Sequence, residues 1–237
     1  MKLIFQFKKT DDMIYISHLD LMRLFLRVLR MSGLRPAYSQ GFNPHPKMSI
    51  ALPLALGLHS ACELLEFETE SRLSIEKTKT ALSAVNERLP EGIRVTEWCE
   101  KPEAVKKPLA SYVAAASYEF MCGGVLDGPS KLADFFAKKS VIARKRDKKT
   151  NTEIDKEIRR QMLSYRIIKN IEGSILTEAT LQAEPAQSLG PLVFWKAFCE
   201  ASGLAFEELS PFITRTAILG VDGRAVKDKL TQMKTLD

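Results

Sequence analysis

No CxxC pair, no run of about twenty apolar residues and no nucleotide or hydrolase signature occurs in this 237-residue chain. Its four cysteines, Cys62, Cys99, Cys122 and Cys199, are too scattered for a zinc ribbon or an iron–sulfur cluster held by this chain alone, and read as reduced structural thiols. Its three histidines, His18, His45 and His59, are isolated from one another in sequence, so neither a metal nor another cofactor is expected. GxxxxGK[ST], GxSxG, GxGxxG after a strand and a cysteine-rich SAM-cluster motif are all missing. NTPase, hydrolase, dehydrogenase and stand-alone radical chemistry therefore lack their recognisable parts. The missing apolar run excludes a helical membrane span, and residues 1–7 read as too short and too quickly charged for a signal peptide, which sets the expectation of a cytoplasmic protein.

What is present is a globular composition with a modest positive excess. Apolar residues make up 45% and charged residues 27%, which argues for a cored protein and against a disordered or fibrous one. A net charge of +6 is compatible with a polyanionic partner without demanding one, so the placement of the charge matters more than its sum.

Hydrophobic periodicity divides the chain. Residues 2–8 alternate, with Leu3, Phe5 and Phe7 on one face and Lys2, Ile4, Gln6 and Lys8 on the other, which predicts a half-buried strand. Ser17, followed three residues later by Asp20, nearly matches a capping box and precedes an apolar-rich run to Met31 closed by Ser32-Gly33, which predicts a helix. A short strand over 48–54, an alternating strand over 62–70, a helix capped by Ser74 and running to residue 88, and a strand over 92–98 complete a β-α-β-β-α-β order. Residues 100–108 are rich in proline and charge and predict a linker at 101–110. Beyond it, strands at 112–122, 165–168, 174–182 and 214–219, helices at 129–139 and 192–202, and a charged hairpin within 141–158 repeat the pattern loosely. The expected class is α+β: two tandem ferredoxin-like (βαββαβ) domains over 1–100 and 111–220, the second with an extra basic hairpin, then a flexible tail at 221–237.

Two basic concentrations stand out. On the first helix Arg23, Arg27 and Arg30 are spaced by four and three residues, forming one stripe opposite Leu21, Leu24, Phe25, Val28 and Leu29, with no glutamate at i+4. Arg35 and Lys47 lie on either side of the Gly-Phe-Asn-Pro-His-Pro loop of YSQGFNPHPK, in which proline fixes its own φ and drives Asn43 and His45 into extended geometry while Gly41 supplies the reversal. That reads as a stiff, hydrogen-bond-poor loop presenting Tyr38, Phe42 and His45 beside guanidinium groups suited to phosphate. The second concentration runs Lys138-Lys139, then Arg144, Lys145, Arg146, Lys148 and Lys149, with one acid in the same twelve positions. A solvated helix face explains the first concentration equally well, and a lysine-blunted sheet edge is the plain alternative for the second, whose density favours a polyanion. His18 stands beside a helix cap that by itself accounts for Ser17 and Asp20; His45 could donate to phosphate, act as an acid or base, or simply pack.

The run from residue 16 to 58, ISHLDLMRLFLRVLRMSGLRPAYSQGFNPHPKMSIALPLALGL, resembles the opening of the bacterial radical-SAM-linked protein family, a domain of unknown function. That family has a similar SHLD helix start, an arginine-bearing helix and a YSQGFNPHPK-type loop before an apolar strand. The resemblance implies context: members lie beside, or fused to, radical SAM enzymes, and their genes often neighbour those of a ribonuclease and a large-subunit ribosomal protein. It carries no catalytic residue over to this chain. The expected fold is also similar in outline to the RNA-processing endoribonucleases of CRISPR systems, an analogy of fold alone.

Three readings stay open on the sequence. The first is an accessory module that grips structured RNA, tRNA or rRNA, through Arg23, Arg27, Arg30, Arg35, Tyr38, Phe42, His45, Lys47 and the 138–149 tip, and presents it to a radical SAM partner. The second is a protein-only adaptor of that enzyme. The third is a metal-independent endoribonuclease in which His45 or His18 relays a proton.

Overall fold

The computed structural model describes residues 1–125, 127–146, 152–171, 173–185, 187–206, 209–230 and 234–235. The chain is mixed α+β, with four α-helices among the described residues and strands that pair antiparallel wherever their register is resolved. Two compact units form. One comprises Met1–Val113 with Ile218–Asp237, the other Ala114–Ala217.

The first unit runs β1 (Lys2–Lys9), α1 (His18–Met31), β2 (Met48–Ile50), β3 (His59–Glu68), α2 (Ile75–Arg88) and β4 (Ile93–Glu100). Its strands lie in the order β4-β1-β3, with β2 on the outer side of β3. Helix α1 starts where the capping pattern predicts: the Ser17 side chain accepts from the Asp20 amide at 3.1 Å. It ends in a Schellman motif, with Gly33 at φ +84°, the Leu34 amide on the Leu29 carbonyl at 2.8 Å and the Gly33 amide on that of Arg30 at 3.2 Å. Leu21, Phe25, Val28 and Leu29 are buried and meet Leu3, Phe5, Phe7, Leu65 and Phe67 of the sheet; the Phe7 and Phe25 rings lie 4.8 Å apart, edge to face. Helix α2 adds Ala81, Leu82 and Val85 to this core. Asn86 fastens it to β4 through two 2.9 Å bonds with the Val95 backbone.

The second unit runs β5 (Ala115–Gly123), α3 (Gly128–Ala137), β6 (Ile142–Arg146), β7 (Glu153–Glu157), β8 (Met162–Ile171), β9 (Ser174–Gln182), α4 (Pro191–Ala201) and β10 (Phe212–Leu219). Its sheet has the order β10-β5-β9-β8, and β6 pairs with β7 as a separate ribbon. Aromatics fill the core: Phe120 stacks on Trp195 at 5.3 Å and 11°, and Phe135 meets Phe194 and Phe198 edge on.

Three expectations need correction. Strand β1 is buried on both faces, with Ile4 and Gln6 as enclosed as Leu3 and Phe5. The cause is the stretch read as a linker: Lys101, Val105 and Leu109 are buried, and Lys101 and the Leu109 amide both bond Glu66, the cross-strand neighbour of Ile4. Residues 101–113 thus cover the sheet face opposite the helices. The stretch after residue 220 was read as a flexible tail, yet Val226 and Leu230 are buried, Lys227 reaches Glu97 at 3.1 Å, and β11 (Lys234–Thr235) pairs with β4.

Candidate nucleic-acid interface

Residues 34–47 leave the C-terminal end of α1 and return to β2 as a hydrogen-bonded loop. Tyr38 and Pro46 form an antiparallel bridge, the Ser39 amide donates to the His45 carbonyl at 2.8 Å, and the Lys47 amide to the Ala37 carbonyl at 2.7 Å. The Ser39 hydroxyl accepts from the His45 amide at 2.9 Å. The expectation of a hydrogen-bond-poor loop is therefore corrected: prolines remove donors at 44 and 46, but His45 between them and Lys47 after them pair with the opposite arm. Gly41, at φ +126°, turns the tip, where Phe42 stands fully exposed beside an exposed His45.

Arg30 ties this loop to the helix. Its guanidinium donates to the Tyr38 hydroxyl and lies 5.5 Å from the ring centroid, a cation–π contact. Arg23, Arg27, Arg30 and Arg35 are all exposed. Arg23 is matched after all: it bonds Asp20 at 2.9 Å, an i−3 partner rather than the i+4 one considered from sequence. The Ser17 hydroxyl, and then Arg23, hold the Asp20 carboxyl below its usual range. No carboxylate among the described residues pairs with Arg27, Arg30 or Arg35. Lys47 reaches Glu68 at 3.3 Å.

His18 is exposed at the first position of α1, about 18 Å along the helix axis from Arg30 at a 1.5 Å rise per residue. It stands at the far end of the helix from the loop that carries His45 and Tyr38.

The second basic concentration belongs to the other unit and changes character in three dimensions. Lys138 and Lys139 are exposed just beyond α3. Along the ribbon, Arg144 stands across from Asp155, Lys145 from Ile154 and Arg146 from Glu153. A window that stopped at residue 149 left out the acids at register positions across from Arg144 and Arg146; Lys148 and Lys149 lie outside the described residues.

Sequence reasoning also missed a groove of about 380 Å³ on the sheet face opposite the helices. Lys2, Ser49 and Glu66 come from three adjacent strands, Ser39, His45 and Pro46 from the loop, and Pro108 from the covering segment. Glu66, one of its lining residues, is held in a buried ion pair, Lys101 Nζ to Glu66 Oε1 at 2.5 Å, with Lys101 also donating to the Lys107 carbonyl at 2.7 Å. The signal that could have found it is the alternation of glutamates 66 and 68 with the core residues Leu65 and Phe67.

No three His, Cys, Asp or Glu side chains among the described residues converge as a metal set, and no helix among them is long and apolar enough to cross a membrane. Burial pushes the Cys99 thiol up to about 11 and raises that of Cys122, which keeps both protonated and unreactive.

Residues 2–191 match the model of a family described as "Uncharacterized protein conserved in bacteria" (DUF2344). The chain belongs to this family. The match to DUF2344 spans α1, the loop, the groove and most of the second unit. No curated protein matches the chain. Among solved structures, this DUF2344 chain is similar to one in the crystal structure of a Cbf5-Nop10-Gar1 complex, with a TM-score of 0.50 at 8% identity. The likeness covers 91% of this chain and 48% of that one, so the chain spans about half the length of the protein it matches. At that identity it speaks to the fold alone.

Proposed function

We propose that the chain is an accessory RNA-binding module that grips an unpaired segment of a structured RNA, tRNA or rRNA, and presents it to a radical SAM partner enzyme. One observation carries the RNA reading: a fully exposed Phe42 stands at the tip of a loop that Arg30 braces through Tyr38, and no carboxylate among the described residues pairs with the exposed Arg27, Arg30 or Arg35. A phenyl ring exposed at a loop tip buries no surface in the fold itself and leaves its face open to a partner. An unpaired base stacks on such a ring while arginines take the adjoining phosphates. The strand orders β4-β1-β3-β2 and β10-β5-β9-β8 support reading each unit as ferredoxin-like, the second with the β6-β7 ribbon inserted after α3. The partner rests on the resemblance of residues 16–58.

Fluorescence anisotropy with a labelled oligouridylate tests the RNA part. Phe42→Ala is expected to weaken binding by about 1–3 kcal/mol, or roughly 5- to 150-fold, the contribution of one stacked base. Equal affinity for wild type and variant would remove Phe42 from the interface, and absence of binding by both would favour a protein-only adaptor. The partner is tested by co-purification with a radical SAM enzyme from the same cell; failure to recover one under conditions that preserve RNA binding would overturn that half of the reading.

A further inference from the structure

The groove beside the loop is a slot for a nucleobase, and we infer that it selects guanine within the bound strand. The inference rests on the RNA reading above and deepens it.

Glu68 is the last residue of β3, and its backbone is held on both sides: its amide donates to the Lys47 carbonyl at 2.9 Å and its carbonyl accepts from Ala37 at 2.7 Å. Its side chain leaves a fixed backbone, with Lys47 Nζ 3.3 Å from Oε2 and Lys2 directly across the strand pair. The lining alternates apolar surface from Pro46, Met48 and Pro108 with hydroxyls from Ser39 and Ser49. A cleft with apolar lining and an ammonium beside the Glu68 carboxylate fits a planar heterocycle that offers an acceptor next to donors.

Guanine is the base with that edge. Its O6 accepts, and its N1–H and N2–H₂ donate side by side, so a carboxylate can take both donors while the neighbouring ammonium takes the oxygen. The other three bases offer a carboxylate no such adjacent pair of donors. Glu66 cannot fill this role as well, because Lys101 and the Leu109 amide already occupy it. The volume of about 380 Å³ lies within the range of small-molecule pockets. Phe42 and the α1 arginines would hold other nucleotides of the strand, which makes the groove a reading site on a strand bound for other reasons.

The test compares oligouridylates carrying a single central guanosine, inosine, adenosine or cytidine, with affinities expressed as ratios to plain oligouridylate for each protein. The guanosine strand is expected to bind about ten-fold tighter than the others, a typical gain for a bidentate base contact. Inosine, which lacks the N2 amino group, should lose most of that gain. In Glu68→Gln the guanosine ratio should fall toward one, while Glu68→Asp should keep part of it. Because each ratio is internal to one protein, a general weakening of binding cancels. Equal ratios for all four strands, or a guanosine ratio unchanged in Glu68→Gln, would overturn the inference while leaving the RNA reading intact. No binding of any strand by wild type would overturn the RNA reading itself and this inference with it.

Discussion

Lys101→Ala is expected to lower the stability of the first unit by about 3–5 kcal/mol, the usual cost of leaving one partner of a buried ion pair uncompensated. The Lys101 and Glu66 side chains are 3% and 13% exposed, so water screens their 2.5 Å contact poorly. Removing the ammonium strands the Glu66 carboxylate between β1 and the covering segment with only the Leu109 amide at 2.9 Å to satisfy it. The Lys107 carbonyl loses its donor too. Equilibrium urea unfolding of the full chain, with amide exchange followed in β1 and β3, measures the effect; a loss below about 1 kcal/mol would mean that the pair is effectively solvated. The double change Lys101→Met with Glu66→Leu should recover much of the loss, because an apolar pair fills the site without a charge to desolvate. Recovery stays incomplete, since the Leu109 amide then has no acceptor, at a cost of about 1–3 kcal/mol. The pair also seats Pro108 at the groove rim, so Lys101→Ala should loosen the base slot along with the fold.

That pair shows where reading the sequence stops working. Helix α1 was legible because its determinants are local: a cap at Ser17, a stripe at Leu21, Phe25, Val28 and Leu29, and a glycine closure at residue 33 lie within seventeen positions. Residues 101–110 looked like a linker by the same local criteria, proline and charge. Their role depends on Glu66, thirty-five residues earlier, and a lysine that finds a buried carboxylate looks no different in sequence from one that finds water. The ribbon's charge balance is likewise non-local, since the acids in register with Arg144 and Arg146 come from the returning strand. Arg23 was miscounted for a smaller reason, its acid lying at i−3. The alternation of the core strands survived because period two is local; the covering of their second face was not readable, because Ile4 and Gln6 look the same in a strand that is open on one side. The loop was found through its proline and glycine spacing, whereas the groove it borders draws on three strands and a later segment that only the fold brings together.

The largest effect on binding is expected from reversing the α1 stripe. Arg23→Glu, Arg27→Glu and Arg30→Glu together should weaken affinity for an oligouridylate about 100-fold at ~0.1 M salt, because each lost phosphate contact on a single strand removes ~0.7 from the salt slope. Three contacts therefore flatten log K against log salt by about two units, a signature that a purely structural defect would not produce. The fold should tolerate the change. All three side chains are exposed, and the one ion pair lost, Arg23 with Asp20, is a surface contact worth at most about 1 kcal/mol. Arg30 contributes in two ways, as a cation and as the brace on Tyr38, so reversing it alone should cost more than reversing Arg27 alone. Arg30→Lys separates the two roles: it keeps the charge but weakens the planar contact with the Tyr38 ring. If Arg30→Lys binds like wild type, charge alone matters there; if it falls toward Arg30→Glu, the position of the loop matters as well. A triple variant that retains both wild-type affinity and wild-type salt slope would show that RNA, if bound, meets a different face of the molecule.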